Sequence, residues 1–181
     1  MRVGLDSRGL AISDDGRYVI VGNYIPATAV ILDAATLEPL TVIRTEAADP
    51  EGNRVASRVA ITSDVSEALV GPYFLIALKE AGQVWRIDYS QPDFPIRVVQ
   101  DVGHILHDAF LSPDNTRFCI ASQRDNWMAV IDVGDDDGGG TDRDRRHAAS
   151  RLRRGVGGGW RGLWRDRPRR RGQGHGLGPV G

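Results

Sequence analysis

Short apolar runs, cut every few residues by Gly, Asp or Pro, fill the first 133 residues of the chain. Leu10-Ala11-Ile12 reads as a strand. Ser13-Asp14-Asp15-Gly16-Arg17 reads as a turn, with Asp and Gly supplying the tight backbone, and Tyr18-Val19-Ile20-Val21 as the returning strand. After Gly22-Asn23, the run Ala29-Val30-Ile31-Leu32-Asp33 predicts a third strand. Thr36-Leu37-Glu38-Pro39 predicts a turn, and Leu40-Thr41-Val42-Ile43 a fourth strand. β-branched residues at this density, among so many turn formers, predict an all-β fold.

The pattern then repeats. Gly9 to Asp33 closes on Val30-Ile31-Leu32-Asp33. Arg58 to Asp88 holds Val59-Ala60-Ile61, Tyr73-Phe74-Leu75-Ile76-Ala77 and Val84-Trp85-Arg86-Ile87-Asp88. Ala109 to Asp132 holds Phe110-Leu111-Ser112-Pro113-Asp114, Arg117-Phe118-Cys119-Ile120-Ala121 and Met128-Ala129-Val130-Ile131-Asp132. The closing aspartates fall at 33, 88 and 132. Units of about four strands at this spacing predict propeller blades. A β-sandwich is the competing architecture, but a sandwich does not repeat its strand phrases. About three blades cannot close a ring, which takes about four to eight. The expected architecture over 1–133 is therefore a partial β-propeller, incomplete on one or both sides, with open edges that favour aggregation.

From Gly134 the grammar changes. Gly134-Asp135-Asp136-Asp137-Gly138-Gly139-Gly140 leads into Arg-, Gly- and Trp-rich text that runs to residue 181. Charge divides at the same point. Residues 1–133 carry 11 basic and 18 acidic side chains, net −7, whereas 134–181 carry 12 Arg and 6 acids, net +6. One expectation for such a segment is a disordered RNA-binding tail. The other is out-of-frame translation, because the switch falls in mid-blade and because Arg, Gly, Ala and Pro are what GC-rich DNA yields in a wrong frame. Codons compatible with Gly134 onward, read one base later, permit Ala-Thr-Met-Thr-Val-Val, a natural strand continuation. The shifted frame also permits Ala-Thr-Pro-His-Pro near Ala149–Ser150. We therefore expect a disordered, frameshifted tail over 134–181 and no nucleic-acid partner.

Cys119 is the only cysteine, which excludes a disulfide framework and a Cys-based metal site. Its apolar neighbours predict a buried structural thiol. No run is long enough to cross a bilayer. No charged and apolar leader precedes the first strand, so no signal peptide is expected at Met1.

Several phrases carry a family resemblance. Gly22-Asn23-Tyr24-Ile25-Pro26, followed by Val30-Ile31-Leu32-Asp33-Ala34-Ala35-Thr36-Leu37-Glu38-Pro39, resembles the Gly-x-Tyr-Trp-Pro…Asp-x-x-Thr-Leu-Glu-Pro stretch of cytochrome cd1 nitrite reductases. Ser57-Arg58-Val59-Ala60-Ile61 resembles their Pro-Arg-Val-Ala segment. Leu78-Lys79-Glu80-Ala81-Gly82-Gln83-Val84 resembles Val-Lys-Glu-Thr-Gly-Lys-Val, and Leu106-His107-Asp108 resembles Phe-Leu-His-Asp. The resemblance spans residues 3–133. It implies a piece of an eight-bladed propeller holding haem d1, an iron dioxo-isobacteriochlorin with several carboxylates, in its central channel.

By this resemblance His107 matches a distal His that protonates nitrite on its way to nitric oxide. A His of ordinary pKa suits that task. The blander alternative is a turn His bonded to Asp108. Tyr24 matches a Tyr beside the cofactor, and Arg8 an Arg that binds its carboxylates. His104 has no counterpart and reads as a surface or edge residue. The proximal iron ligand, a Cys-x-x-Cys-His c-type haem domain and the second distal His are missing from the text. Ile25 replaces the family's Trp, and Arg54-Val55-Ala56 departs from a His-Pro-Glu stretch.

The resemblance implies a fragment of a nitrite reductase, with nitrite as substrate, a c-type haem domain or cytochrome as electron donor, a homodimeric state and a periplasmic location. As written, the chain is expected neither to bind haem d1 tightly nor to reduce nitrite. Two alternatives stay open: a propeller for haem d1 biosynthesis or maturation, and a non-catalytic repeat propeller that binds protein partners.

Overall fold

Two recurring turns set the strand boundaries. After each third strand, an Asp side chain folds back on the amides that follow it. Asp33 Oδ1 accepts from Ala35 N at 3.0 Å and Thr36 N at 2.8 Å, and Asp88 Oδ1 accepts from Ser90 N at 2.8 Å. Asp132 Oδ1 likewise accepts from Gly134 N at 3.1 Å. Between first and second strands, Ser13 Oγ donates to Asp15 Oδ1 at 2.7 Å, and Ser112 Oγ donates to Asp114 Oδ1 at 2.6 Å. The left-handed residue each of these turns needs is Gly16 (φ 71°) in one and Asn115 (φ 57°) in the other.

The computed structural model describes residues 2–134 and the two-residue strand Leu152–Arg153. Three four-stranded antiparallel sheets follow one another. The first contains β1 (Asp6–Ile12), β2 (Tyr18–Ile25), β3 (Thr28–Asp33) and β4 (Pro39–Arg44). A small hairpin, β5 (Glu46–Ala48) and β6 (Arg54–Ala56), leads to the second. That sheet contains β7 (Val59–Val65), β8 (Tyr73–Leu78), β9 (Gln83–Asp88) and β10 (Ile96–Val99). The third contains β11 (Leu106–Leu111), β12 (Arg117–Ser122), β13 (Trp127–Asp132) and β14 (Leu152–Arg153). Each sheet runs in simple up-and-down order, as in a propeller blade. The all-β fold and the partial propeller expected from the repeat are what the chain adopts. The expected disordered tail falls outside the described residues, apart from β14, which pairs Leu152 with Met128 and Arg153 with Trp127.

The blades stack face to face on two apolar cores. Ile20, Ile31, Val59, Phe74, Ile76 and Ile87 lie between the first and second blades. Leu75, Val84, Leu106, Phe118, Ile120 and Ala129 lie between the second and third. Strand β8 serves both, because alternate side chains of a strand point to opposite faces. Phe74 and Ile76 face the first blade, and Leu75 and Ala77 the third. Close approach of the first two blades depends on Gly22, where a Cβ would sit 2.5 Å from Val59 Cγ1. Cys119 is buried, as its neighbours predict, and burial pushes its thiol up.

The innermost strand of every blade carries a bulge near its start. In β1 the register passes from Ser7↔Asn23 to Gly9↔Gly22, leaving Arg8 as the extra residue. In β7 it passes from Val59↔Leu78 to Ile61↔Ala77, leaving Ala60. In β11 it passes from Leu106↔Ser122 to Ala109↔Ile120, so His107 and Asp108 lie across the bulge. A bulge turns its side chain out of the ordinary in–out alternation.

Candidate functional site

The three bulges lie at one end of the arc, where β1, β7 and β11 begin. A line of backbone hydrogen bonds ties that end together. Ser57 N donates to Thr45 O at 2.8 Å, Lys79 N to Arg58 O at 2.8 Å, and Leu106 N to Lys79 O at 3.0 Å. Arg8, Tyr24, Arg58, Lys79 and His107 therefore share one rim.

Tyr24 sits at the end of β2, beside the first bulge. Its neighbour Asn23 is fully buried and fully bonded: Nδ2 donates to Val3 O at 3.2 Å and Thr28 Oγ1 at 3.1 Å, and Oδ1 accepts from Ser7 Oγ at 2.6 Å. This fixes the strand end from which the half-buried Tyr24 ring projects. Three cations surround that ring. Arg8 Cζ lies 5.3 Å from the ring centroid, Arg58 Cζ 4.9 Å and Lys79 Nζ 5.7 Å. Each distance is within cation–π range.

The structure thus brings together Arg8 and Tyr24, the pair expected from the sequence, and adds Arg58 and Lys79. Sequence reasoning passed over these two because each lies in a phrase read only for resemblance. The available signal was their position, each directly beside the end of an apolar strand run. Arg8 pairs with Asp6, Nε to Oδ1 at 2.8 Å. Arg58 pairs with Glu80: Nε donates to Oε1 at 2.6 Å, and Nη2 also contacts Oε1. Glu80 raises the Arg58 pKa, chiefly through the side-chain hydrogen bond.

Among the described residues His107 takes part in none of that cluster's ion pairs or ring contacts; it stands near the start of β11, on the third blade. Its Nδ1 lies 2.9 Å from Asp108 Oδ1, the bond foreseen in the blander reading. The ring is 34% exposed and Asp108 is 91% exposed, so the pair opens to solvent. His104 is held differently. Its N donates to Ser122 Oγ and Asp125 Oδ2, both at 2.8 Å, and its Nδ1 lies 3.0 Å from Asp125. Burial works to raise the Asp125 pKa, but hydrogen bonds from Ser122, Trp127 and His104 win and hold it far down. His104 is a rim fastener. Among the described residues no group of three or more His, Cys, Asp or Glu could hold a metal ion.

Arg54 supplies a contrast. It pairs with Glu46 at 2.6 Å while 80% exposed, and it lies off the rim cluster. Arg54→Ala is expected to change unfolding free energy by less than about 0.5 kcal/mol in a urea titration.

The class of protein is now defined: a blade-repeat chain with one rim rich in cations around an aromatic face. The profile of the cytochrome D1 heme domain matches residues 1–153, past the boundary at 133, and the chain belongs to that family. Dihydro-heme d1 dehydrogenase of Pseudomonas aeruginosa is 42% identical over 126 residues, 68% of this chain and 24% of that protein. Nitrite reductase of Stutzerimonas stutzeri is 28% identical over 142 residues, 74% of this chain and 24% of that protein. Among solved structures, dihydro-heme d1 dehydrogenase NirN in complex with DHE aligns with a TM-score of 0.63 at 31% identity, covering 83% of this chain and 28% of that one. The chain spans about a quarter of the length of these relatives.

Proposed function

We propose that this chain is the carboxylate-gripping sector of a haem d1-binding propeller, and that the protein to which the sector belongs acts in haem d1 formation, on the dihydro form, rather than in nitrite respiration. The observation that carries the binding reading is the Arg8–Arg58–Lys79 set around Tyr24. A flat macrocycle edged with carboxylates needs fixed cations and an aromatic face, and both stand on this rim. The dihydro form is favoured by the relative at 42% identity, against 28% for the nitrite reductase.

Arg8, Arg58 and Lys79 would hold the carboxylates, and Tyr24 would set the plane. When bound, the iron tetrapyrrole supplies the redox chemistry. The chain's own contribution to the reaction is a proton site. In the tautomer whose Nδ1–H donates to Asp108, His107 Nε2 is an acceptor able to take one of the two protons released as two C–H bonds are lost, the second proton passing to solvent and the two electrons to an electron acceptor. An electron acceptor such as a c-type haem domain belongs to the proposal, as do a homodimer and a periplasmic setting. In the second reading, nitrite reduction, the same Nε2 would give up a proton instead; Leu106-His107-Asp108 favours it. The frameshift near codon 133 also stays a proposal, and an unbroken frame on resequencing through Val133 would overturn it.

The test is a spectroscopic titration of the purified chain with haem d1 and with its dihydro form. Weak saturable binding, with a dissociation constant of about 10 µM or higher, is expected because one sector cannot enclose the ligand. The dihydro form should bind at least as well. Saturation by haem d1 alone would transfer the reading to the reductase; saturation by neither would overturn both.

A further inference from the structure

The three cations at Tyr24 are not equivalent. Arg8 is matched by Asp6 and Arg58 by Glu80, and both pairs are direct. Lys79 has no carboxylate partner among the described residues; its side chain faces the Tyr24 ring, whose centroid lies 5.7 Å from Nζ. Around Tyr24, three cations stand against two carboxylates, and the unmatched positive charge resides on Lys79. The residue is half-buried and shares the Tyr24 ring with two guanidinium groups. Like charges so placed repel each other, and an arriving anion relieves that repulsion.

The loop that carries Lys79 is fastened with unusual care. Ser57 is fully buried, and its Oγ accepts from Glu80 N and from Ala81 N, both at 3.0 Å. In return, Glu80 Oε2 accepts from Arg58 N at 2.7 Å and lies 3.4 Å from Ser57 Oγ. Lys79 N donates to Arg58 O at 2.8 Å. The β8–β9 loop and the residues entering β7 are thus locked to each other from both sides. The lock spends Arg58 on Glu80 and leaves the Lys79 ammonium facing the ring.

We infer that Lys79 is the residue that receives a ligand carboxylate on this rim, and that Ser57 and Glu80 are the positioning residues that hold it there. Arg8 and Arg58, each already paired with a carboxylate of the chain, are secondary holders of the ligand's carboxylates and also wall the Tyr24 cage. The inference rests on the binding reading above and narrows it to one contact, so its test uses two probes. The first is haem d1. The second is uroporphyrin, an iron-free tetrapyrrole with eight carboxylates, followed by its fluorescence anisotropy on the 181-residue chain.

Lys79→Met is expected to weaken uroporphyrin binding about tenfold, the usual loss for one charge-assisted hydrogen bond. Lys79→Arg should restore most of it. Glu80→Gln should weaken binding by a smaller factor, and near-ultraviolet dichroism should show the fold retained. Arg54→Ala, off the cluster, should bind as the parent does. Unchanged uroporphyrin binding by Lys79→Met overturns the inference, as does equal loss in Lys79→Arg. If uroporphyrin binding depends on Lys79 but haem d1 does not bind, the inference stands and the haem d1 reading falls. If haem d1 binds equally to parent and Lys79→Met, the reading stands and the inference falls. Binding of neither probe overturns both.

Discussion

Gly82→Ala should unfold the chain at markedly lower urea than the parent, with a loss of about 3–5 kcal/mol. Gly82 ends the loop between β8 and β9 at φ +64°, and a Cβ there would meet Gly103 O at 2.0 Å and Gly103 C at 3.2 Å. The obstacle is backbone, so no rotamer change relieves it. Val102 N donates to Gly82 O at 3.0 Å, which prevents the two segments from parting. Gly16→Ala is the matched control. Its φ is +71°, and nothing lies within 4 Å of the Cβ position. It should lose only the left-handed penalty, about 1 kcal/mol. The difference between the variants isolates the contact with Gly103, and equal losses would show that this contact does not hold in solution. Because the same loop carries Lys79 and Glu80, Gly82→Ala should also weaken the uroporphyrin binding proposed for Lys79.

The second large effect is one of pH. Asp64, near the far end of β7, has its carboxyl pushed up to about 7. Burial is the main cause, and the Asp14 and Asp15 carboxylates add to it, while the facing Tyr89 hydroxyl works the other way. Tyr89 and Asp64 are close but poorly aligned: neither Asp64 Oδ1 nor the Tyr89 hydroxyl has a well-formed hydrogen bond among the described residues. Below about pH 4 the carboxyl is protonated in both folded and unfolded chains, so it adds no pH dependence. Between about pH 4 and 7 the unfolded chain releases the proton while the folded chain keeps it, and stability falls as pH rises. Above pH 7 the loss is complete. Asp64→Asn should therefore stabilise the chain by about 2 kcal/mol at pH 8 and hardly at all at pH 4. Aspartates held low by hydrogen bonds, such as Asp114 at about 2, act in the opposite sense and lose stability only in stronger acid. Urea titrations of parent and variant at pH 4, 6 and 8 would expose the difference. Parallel curves at all three values would show that Asp64 is ionised in the folded chain.

The blades could be read from the sequence because their turns are written in local chemistry. Asp33, Asp88 and Asp132 marked the ends of β3, β9 and β13, where each folds back on the next amides. Elements whose structure depends on distant partners were harder to find. Strand β1 begins at Asp6, four residues before Leu10-Ala11-Ile12, because the polar Asp6-Ser7-Arg8-Gly9 run pairs with β2 through a bulge. Strand β10 lies on the outer edge with every residue exposed, so it lacks the apolar run that marks a central strand. The β5–β6 hairpin is three residues to a strand and carries no periodicity. The site shows the same division. Arg8, Tyr24 and His107 stood out through resemblance, whereas Arg58 and Lys79 emerge only once β7 and β8 are set beside β2. The lock between Ser57 and Glu80 joins residues 23 apart and has no local pattern at all.

The bulges at Arg8, Ala60 and His107–Asp108 have a bearing on how such a rim changes over time. An ordinary strand obeys a parity rule: any residue that changes side drags its neighbours from core to solvent. One surplus residue at the mouth of each innermost strand absorbs that constraint before the core begins. The rim is therefore a drafting margin, where a residue can change side while the stacked faces below keep their grammar.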